Sequence, residues 1–495
     1  MAINSVSTSS NSIVQSLLDM RAQFDDLQRQ LSTGQKSASY AGLGSGRGLS
    51  VSLNSQMSTM TAFDNSIDMI DTRLKLAQTS LDGMSTIGNQ MKALVVQGGA
   101  NSGNASSAQL TAQSSLQQLL GLLNAQAGGR YLFSGRATDQ PAVETYDHIV
   151  NGDGARAGLK QLIDERAQAD LGASGLGRLT VGATASSVTL DEDAGPFGFK
   201  LASASSNLSN ATVSGPTGSP ANLTVNFTGQ PNDGDTLTVR FNLPDGTTTN
   251  LTMTATTKSP PGDNQFTIGG STAATVSNLQ GALSTALGAL AGSTLKAASA
   301  VTASNDFFSA DLSNPPQRVA GPPFDTATAM TAGTTANTVV WYTGEAGPDP
   351  ARGTATTRID PALVVSYGAR ANETGLRTLV QNVATLAAVT ISPTDPNLTN
   401  FTAALSQRVG TGLAGSPGQQ SVTDIEAELA GVQTTMASVK GRHAQVSATL
   451  GDMLQQISGV SNEDVGAQIL TLQTRMQASM QTTAMMYQLS LVKFI

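Results

Sequence analysis

The 495-residue chain contains no cysteine, which removes disulfide staples, thiolate zinc sites and cysteine nucleophiles together and suits a protein living outside the cell. Aromatic residues make up only 4%, with one tryptophan, Trp341, beside 50 glycines. That is meagre material for an enzyme pocket. Histidine occurs twice, at His148 and His443. HExxH, Ser-His-Asp and Walker A patterns are absent, so no enzymatic activity, metal or cofactor is expected. No run of 18 apolar residues occurs, and "MAINSVSTSSNSIVQ" has neither a basic nor an apolar leader region. Membrane insertion and an ordinary cleaved signal peptide are therefore not expected. The net charge of -8 is modest and no block of like charges appears, so nucleic acid is not an expected partner.

What is present is helix text at both ends. From Asn11 the residues Ile13, Leu17, Met20, Phe24, Leu27 and Leu31 alternate in steps of four and three, a heptad seam. Four glycines between Gly42 and Gly48 then oppose a helix. The same spacing resumes through Met60, Phe63, Ile67, Ile70, Leu74, Ala77, Leu81, Met84, Gly88, Met91 and Val95, and a shorter helix carries Leu116, Leu120 and Leu123. Near the other end, Ile425, Leu429, Val432, Met436, Val439, His443, Val446, Leu450, Met453 and Ile457 form one stripe. After a break, Val465, Ile469, Leu472, Met476, Met480, Ala484, Tyr487 and Leu491 form another. Ser461 with Asp464 has capping-box spacing for that last helix. Isolated helices of this length are marginal in water, so the two ends of the chain are natural partners.

The middle changes to Thr, Ser, Gly, Asn and Ala. "ANLTVNF" places Leu223, Val225 and Phe227 on one face, and "DTLTVRFNLPDGTTTNLTM" reads as a hairpin turning at Pro244-Asp245-Gly246. One short helix is expected from Val276 through Leu279, Leu283, Leu287 and Leu290. "RYLFSGR" reads as a strand entering a turn, "NTVVWYTGEAG" as a strand, and "ALVVSYGARANETGLRTLVQNVATL" as a strand running into a helix with Leu376, Leu379, Val383 and Leu386 inward. The fold class expected is mainly α with an inserted mainly-β domain: a long antiparallel helical bundle or coiled coil formed by both ends, with the β-rich part projecting. The expected segments are a helical arm at 1–45, helical core at 46–174 and 361–459, a β-rich insert at 175–360, and a second helical arm at 460–495.

Residues that could carry chemistry favour structural readings. "GLGSGRG" lacks the preceding strand and spacing of a phosphate loop and reads as a flexible hinge. His443 sits in a helical seam, where a packed histidine is a better reading than a pH switch. "DEDAG", from Asp191, lacks the spacing of a calcium loop. The methionines of the last helix suit adaptable packing against a neighbouring subunit rather than copper.

Helix-forming ends around a β-rich middle suit a subunit that polymerises head to tail. "RQLSTGQK" from Arg29 and "NQMKALVVQGGANSGN" from Asn89 resemble signatures of the flagellin superfamily. Within it, "RYLFSG" from Arg130, "VVSYGARANE" from Val364 and "LQTRMQASMQTTAMMYQLSLVKFI" from Leu472 are most similar to the subfamily that joins hook to filament. The resemblance implies that the first and last helices pair as an inner layer around an export channel. The assembly interface would comprise Ile13, Leu17, Met20, Phe24, Leu27, Leu31, Val465, Ile469, Leu472, Met476, Met480, Tyr487 and Leu491. It also implies a location in the extracellular flagellum and export by the flagellar type III apparatus. Implied partners are copies of itself, hook-associated proteins, flagellin and a flagellar export chaperone. The alternatives are the main filament subunit, for which the chain length is usual, and an adhesin carried by the insert, for which Trp341 and Tyr342 would be the exposed aromatics.

Overall fold

A computed structural model describes residues 3–96 and 105–492. The Gly/Asn-rich stretch at 97–104 and residues 493–495 lie outside the described residues. The chain divides into two compact units, one of residues 1–71, 357–365 and 433–495, the other of residues 72–356 and 366–432.

The chain opens with helix α1 (Ile3–Thr33), passes through a 3-10 turn at Tyr40–Gly46 and enters α2 (Arg47–Val96). Helix α2 starts well before Met60, because Leu53 is already buried on the same stripe. Along that stripe Ile67, Ile70, Leu74, Ala77, Leu81, Met84, Met91 and Val95 are buried, with Ile87 inward where the spacing had pointed to Gly88. Each large side chain so buried contributes roughly 1.5 to 3 kcal/mol relative to exposure. Helix α3 (Ala105–Leu123) buries Leu116, Leu120 and Leu123 as its spacing predicts.

Strands β1 (Gln126–Ala127) and β2 (Arg130–Tyr131) form a minimal hairpin. Helices α4 (Tyr146–Asn151) and α5 (Leu159–Leu171) follow. The β-rich domain comprises β3 (Leu179–Ala183), β4 (Ser187–Glu192), β5 (Lys200–Ser206), β6 (Ala211–Gly218), β7 (Ala221–Phe227), β8 (Thr236–Asn242), β9 (Thr248–Thr256) and β10 (Gln265–Thr267). They make two four-stranded sheets, in the orders β3-β4-β7-β6 and β10-β9-β8-β5; β10 runs parallel to β9 and the other pairs are antiparallel. Leu223, Val225 and Phe227 are buried together, as period-two burial requires, and join one core with Val239, Phe241 and Met253 of the other sheet and with Phe199 just before β5.

Helix α6 (Thr272–Leu290) closes this core with Val276, Leu279, Leu283 and Leu287. The helix expected from Val276 is present, but it does not end at Leu290. A π turn at Ala291–Leu295 carries it directly into α7 (Lys296–Ser309). The Ser293 hydroxyl donates to the Ala289 carbonyl at 2.6 Å within the turn. A π turn shifts the phase of a helix stripe, and here α6 packs on the sheets while α7 packs on α5.

After β11 (Arg318–Val319) and β12 (Met330–Thr331), the segment "NTVVWYTGEAG" forms isolated bridges, Val143 to Tyr342 and Ala157 to Thr338, instead of a strand. It is extended and hydrogen-bonded, but its neighbour is irregular chain, so no ladder propagates. Strands β13 (Thr356–Asp360) and β14 (Leu363–Ser366) pair with one another and lead to α8 (Thr374–Ala388). Leu376, Leu379, Val383 and Leu386 of α8 are buried. Helix α8 packs on α3, α7 and α9 (Leu398–Ala414). Helices α10 (Val422–Ser458) and α11 (Asn462–Val492) complete the described chain. Helix α10 turns its stripe from Ile425 to Leu450 inward, with Val432 and Val446 half-buried and the rest buried, then turns Leu454 inward and leaves Met453 exposed.

Candidate assembly site

The first and last helices of the described chain do pair: α1 packs on α11 within one unit. Their register begins at the end of α1. There the Gly34 amide donates to the Gln30 carbonyl at 2.8 Å, and Gly34 sits at φ +67°, a left-handed helix stop that a side chain would strain. The Thr33 hydroxyl donates to the Arg29 carbonyl at 2.8 Å. "LSTG" is therefore a helix terminator.

The chain beyond this stop is stapled to the link between α10 and α11. The Val460 amide donates to the Gly34 carbonyl at 3.0 Å, and the Lys36 amide to the Ser458 carbonyl at 2.8 Å. The Lys36 ammonium reaches the Ile457 carbonyl at 3.2 Å. Arg29 pairs with Asp26 and also donates to the Lys36 carbonyl. That guanidinium, followed by the Gln30 amide, holds the Asp26 carboxyl below its ordinary range. A Cβ on Gly46 would lie 2.7 Å from a methyl of Ile457, so glycine there lets the 3-10 turn approach α10. "GLGSGRG" is thus a wound elbow seated on its neighbour. Its described geometry has no phosphate-loop form.

Helix α11 is capped as its sequence suggests. The Ser461 hydroxyl accepts from the Asp464 amide at 3.3 Å, and Glu463 and Asp464 in the first turn complement the helix dipole. Of the expected interface residues, Ile13, Leu17, Met20, Phe24 and Leu27 are half-buried, and Leu31 is exposed. On α11, Val465 and Leu472 are buried, and Ile469 and Met476 are half-buried.

Met480 departs from this line. It is 51% exposed, while Ser479 and Thr483 take the half-buried positions. The pair keeps steps of four and three through 465, 469, 472, 476, 479 and 483. The apolar text instead steps by four and four, from Met476 to Met480 and Ala484, which places it about 100° around the helix from the seam. The side chains of Tyr487 and Leu491 lie outside the described residues. Val14 and Leu18 of α1 and Leu470, Met485 and Met486 of α11 are also exposed, so the terminal pair carries apolar surface beyond its own seam.

Two further quoted motifs, "RYLFSG" and the "GARANE" end of "VVSYGARANE", meet in the larger unit. The Ala371 amide donates to the Phe133 carbonyl at 2.8 Å, and the Gly135 amide to the Ala369 carbonyl at 3.1 Å, joining "RYLFSG" to "GARANE". Arg370 donates from its guanidinium to the Gly347 carbonyl at 3.0 Å, and Glu373 accepts from the Arg370 amide at 3.0 Å. These motifs act as internal fasteners. Trp341, fully buried, donates to the Phe308 carbonyl at 2.9 Å, and Tyr342 is buried with it, so neither supplies an exposed aromatic for a binding surface. Burial pushes the Tyr342 phenol well above its ordinary value.

Sequence reasoning missed the staple between 34–36 and 458–460, which is made of main-chain bonds and leaves no pattern in side chains. It also missed α9, although Leu398, Phe401, Leu405 and Val409 carry a helical spacing and are buried. Among the described residues no cluster of three metal-binding side chains occurs, and no helix is long and apolar enough to cross a membrane.

Residues 3–138 match the family model of the bacterial flagellin N-terminal helical region. The match supports the flagellin superfamily and, with it, a structural role in the bacterial flagellum and motility. No curated protein matches the chain.

Proposed function

We propose that the chain is an axial subunit of the bacterial flagellum that joins hook to filament and polymerises through its terminal helices. The observation that carries the assembly part is the α1–α11 pair, which is stapled at its base yet keeps apolar side chains exposed outside its seam. The junction assignment rests on the text from Leu472 to Ile495. In this reading the functional segments are arms at 1–45 and 460–495, a helical core at 46–174 and 361–459, and an outward insert at 175–360. Ile13, Leu17, Met20, Phe24, Leu27, Val465, Ile469, Leu472 and Met476 hold the arm together. Leu31 and Met480 face the next subunit, and Tyr487 and Leu491 belong to the same assembly interface. Copies of the chain, hook-associated proteins and flagellin are its neighbours, with export by the flagellar type III apparatus after capture by a chaperone. The protein catalyses nothing.

Immunogold labelling of intact flagella with an antibody against 175–360 tests the assignment. A single cluster where hook meets filament is expected. Label along the whole filament would make the chain the filament subunit, a reading its length of 495 residues favours, and no label on flagella would overturn both. Removal of Leu472 to Ile495 is expected to leave a folded monomer unable to assemble; normal assembly of that truncation would refute terminal packing.

A further inference from the structure

His443 is 2% exposed within the smaller unit and lies between two carboxylates from different elements. Its Nδ1 is 2.8 Å from Asp64 Oδ1 on α2, and its Nε2 is 3.2 Å from Asp360 Oδ2 at the end of β13. The ring of Phe63 flanks the imidazole at 6.2 Å between centroids. A neutral imidazole has one N–H and one lone pair. Against two ionised carboxylates it can therefore satisfy one contact while the other sets lone pair against lone pair. Only the imidazolium donates to both.

From this geometry we propose that His443 is a proton-dependent clamp: charged, it ties α2, α10 and the β13–β14 hairpin together, and on losing a proton it releases one of them. The hairpin is the side that yields, because its contact is the longer one.

The charged surroundings are these. On α2, Asp64 faces the ring, Asp68 pairs with Lys440, and Asp71 accepts from Gln433 one turn further along. On α10, Arg442 pairs with Asp360 at 2.6 Å. On the hairpin, Asp360 faces the ring, with Arg358 two residues before it on the same strand. The Arg442 guanidinium, then the Ala362 amide, hold the Asp360 carboxyl below its ordinary range, so Asp360 stays an acceptor when histidine titrates. Arg442 also keeps the hairpin tethered after the clamp opens, so the device loosens the hairpin without detaching it.

The chain has only two histidines, so the ring signals of His443 can be followed by NMR in the intact monomer, with half-exposed His148 as internal reference. Hydrogen exchange across Thr356–Ser366 is measured over the same pH series and corrected for intrinsic rates. One charge-assisted bond lost corresponds to exchange faster by about tenfold, and this step should coincide with deprotonation of the His443 ring. In His443→Gln the step should vanish. Asp64→Asn, nearly isosteric, should lessen it while retaining the fold. Exchange that is flat across the His443 titration, or a step that persists in His443→Gln, would overturn the proposal.

Discussion

Leu472 and Met480 lie eight residues apart on α11, and the structure separates their roles. Leu472 is 7% exposed against α1, whereas Met480 is 51% exposed and off the seam. Leu472→Ala removes three carbons from that contact, which at about 0.8 kcal/mol per buried CH₂ amounts to roughly 2.4 kcal/mol. Its neighbours Ile469 and Met476 are only half-buried, so the gap can partly close and the cost should stay near 2 kcal/mol, the low end for such truncations. Met480→Ala should change the monomer by less than about 0.5 kcal/mol, as exposed positions do. In the polymer, burial of its remaining surface is worth about 1 kcal/mol per subunit, or roughly a fivefold rise in critical concentration when truncated. Urea unfolding of dilute monomer followed by hydrogen exchange in α11, together with sedimentation of the polymer, measures both quantities. Equal destabilisation of the monomer by the two variants would refute the division, as would a Met480→Ala protein that assembles at the wild-type critical concentration.

Gly34→Ala should cost about 1 kcal/mol through its left-handed backbone alone, since no atom lies within 4 Å of the added Cβ; thermal unfolding of the monomer checks this. Asp245, buried in the β8–β9 turn, accepts from Arg408 of α9 at 2.7 Å. Asp245→Ala should destabilise by about 3 kcal/mol by leaving that guanidinium without its carboxylate, read from urea denaturation of the full chain. Asp424 closes a reciprocal cap with Ser421 at the start of α10, and the Ser421 amide holds its carboxyl below the usual range. That cap therefore contributes fully above the unfolded carboxylate value, about 3.9, and is lost as pH falls through the lower folded value. Hydrogen exchange in the first turn of α10 should rise over that interval in the wild type and lose this dependence in Asp424→Asn.

Much of the fold was legible because burial follows period. Apart from Ile87 in place of Gly88, the stripes from Ile67 to Val95, Ile425 to Leu450, Leu223 to Phe227 and Val276 to Leu287 are inward where their spacing places them. Hydrophobic patterning states that a face is covered. It does not say by what, since the driving force has no direction. The strand expected at Trp341 is the converse case: the apolar run is buried, but a ladder needs a regular partner, and the chain beside it at Val143 is irregular.

The terminal site divides in the same way. The sequence by itself determined that α1 and α11 are amphipathic and that Ser461 begins the second, but it put the end of the first at the glycines of 42–48, whereas the helix stops at Gly34. Tertiary structure decided that main-chain bonds between 34–36 and 458–460 set their register, and that this register seats Ser479 inward in place of Met480. It also brought His443 beside Asp64 and Asp360, residues far apart in the chain. Local periodicity records which residues leave water, whereas register and long-range pairing depend on hydrogen bonds between segments that no short stretch contains.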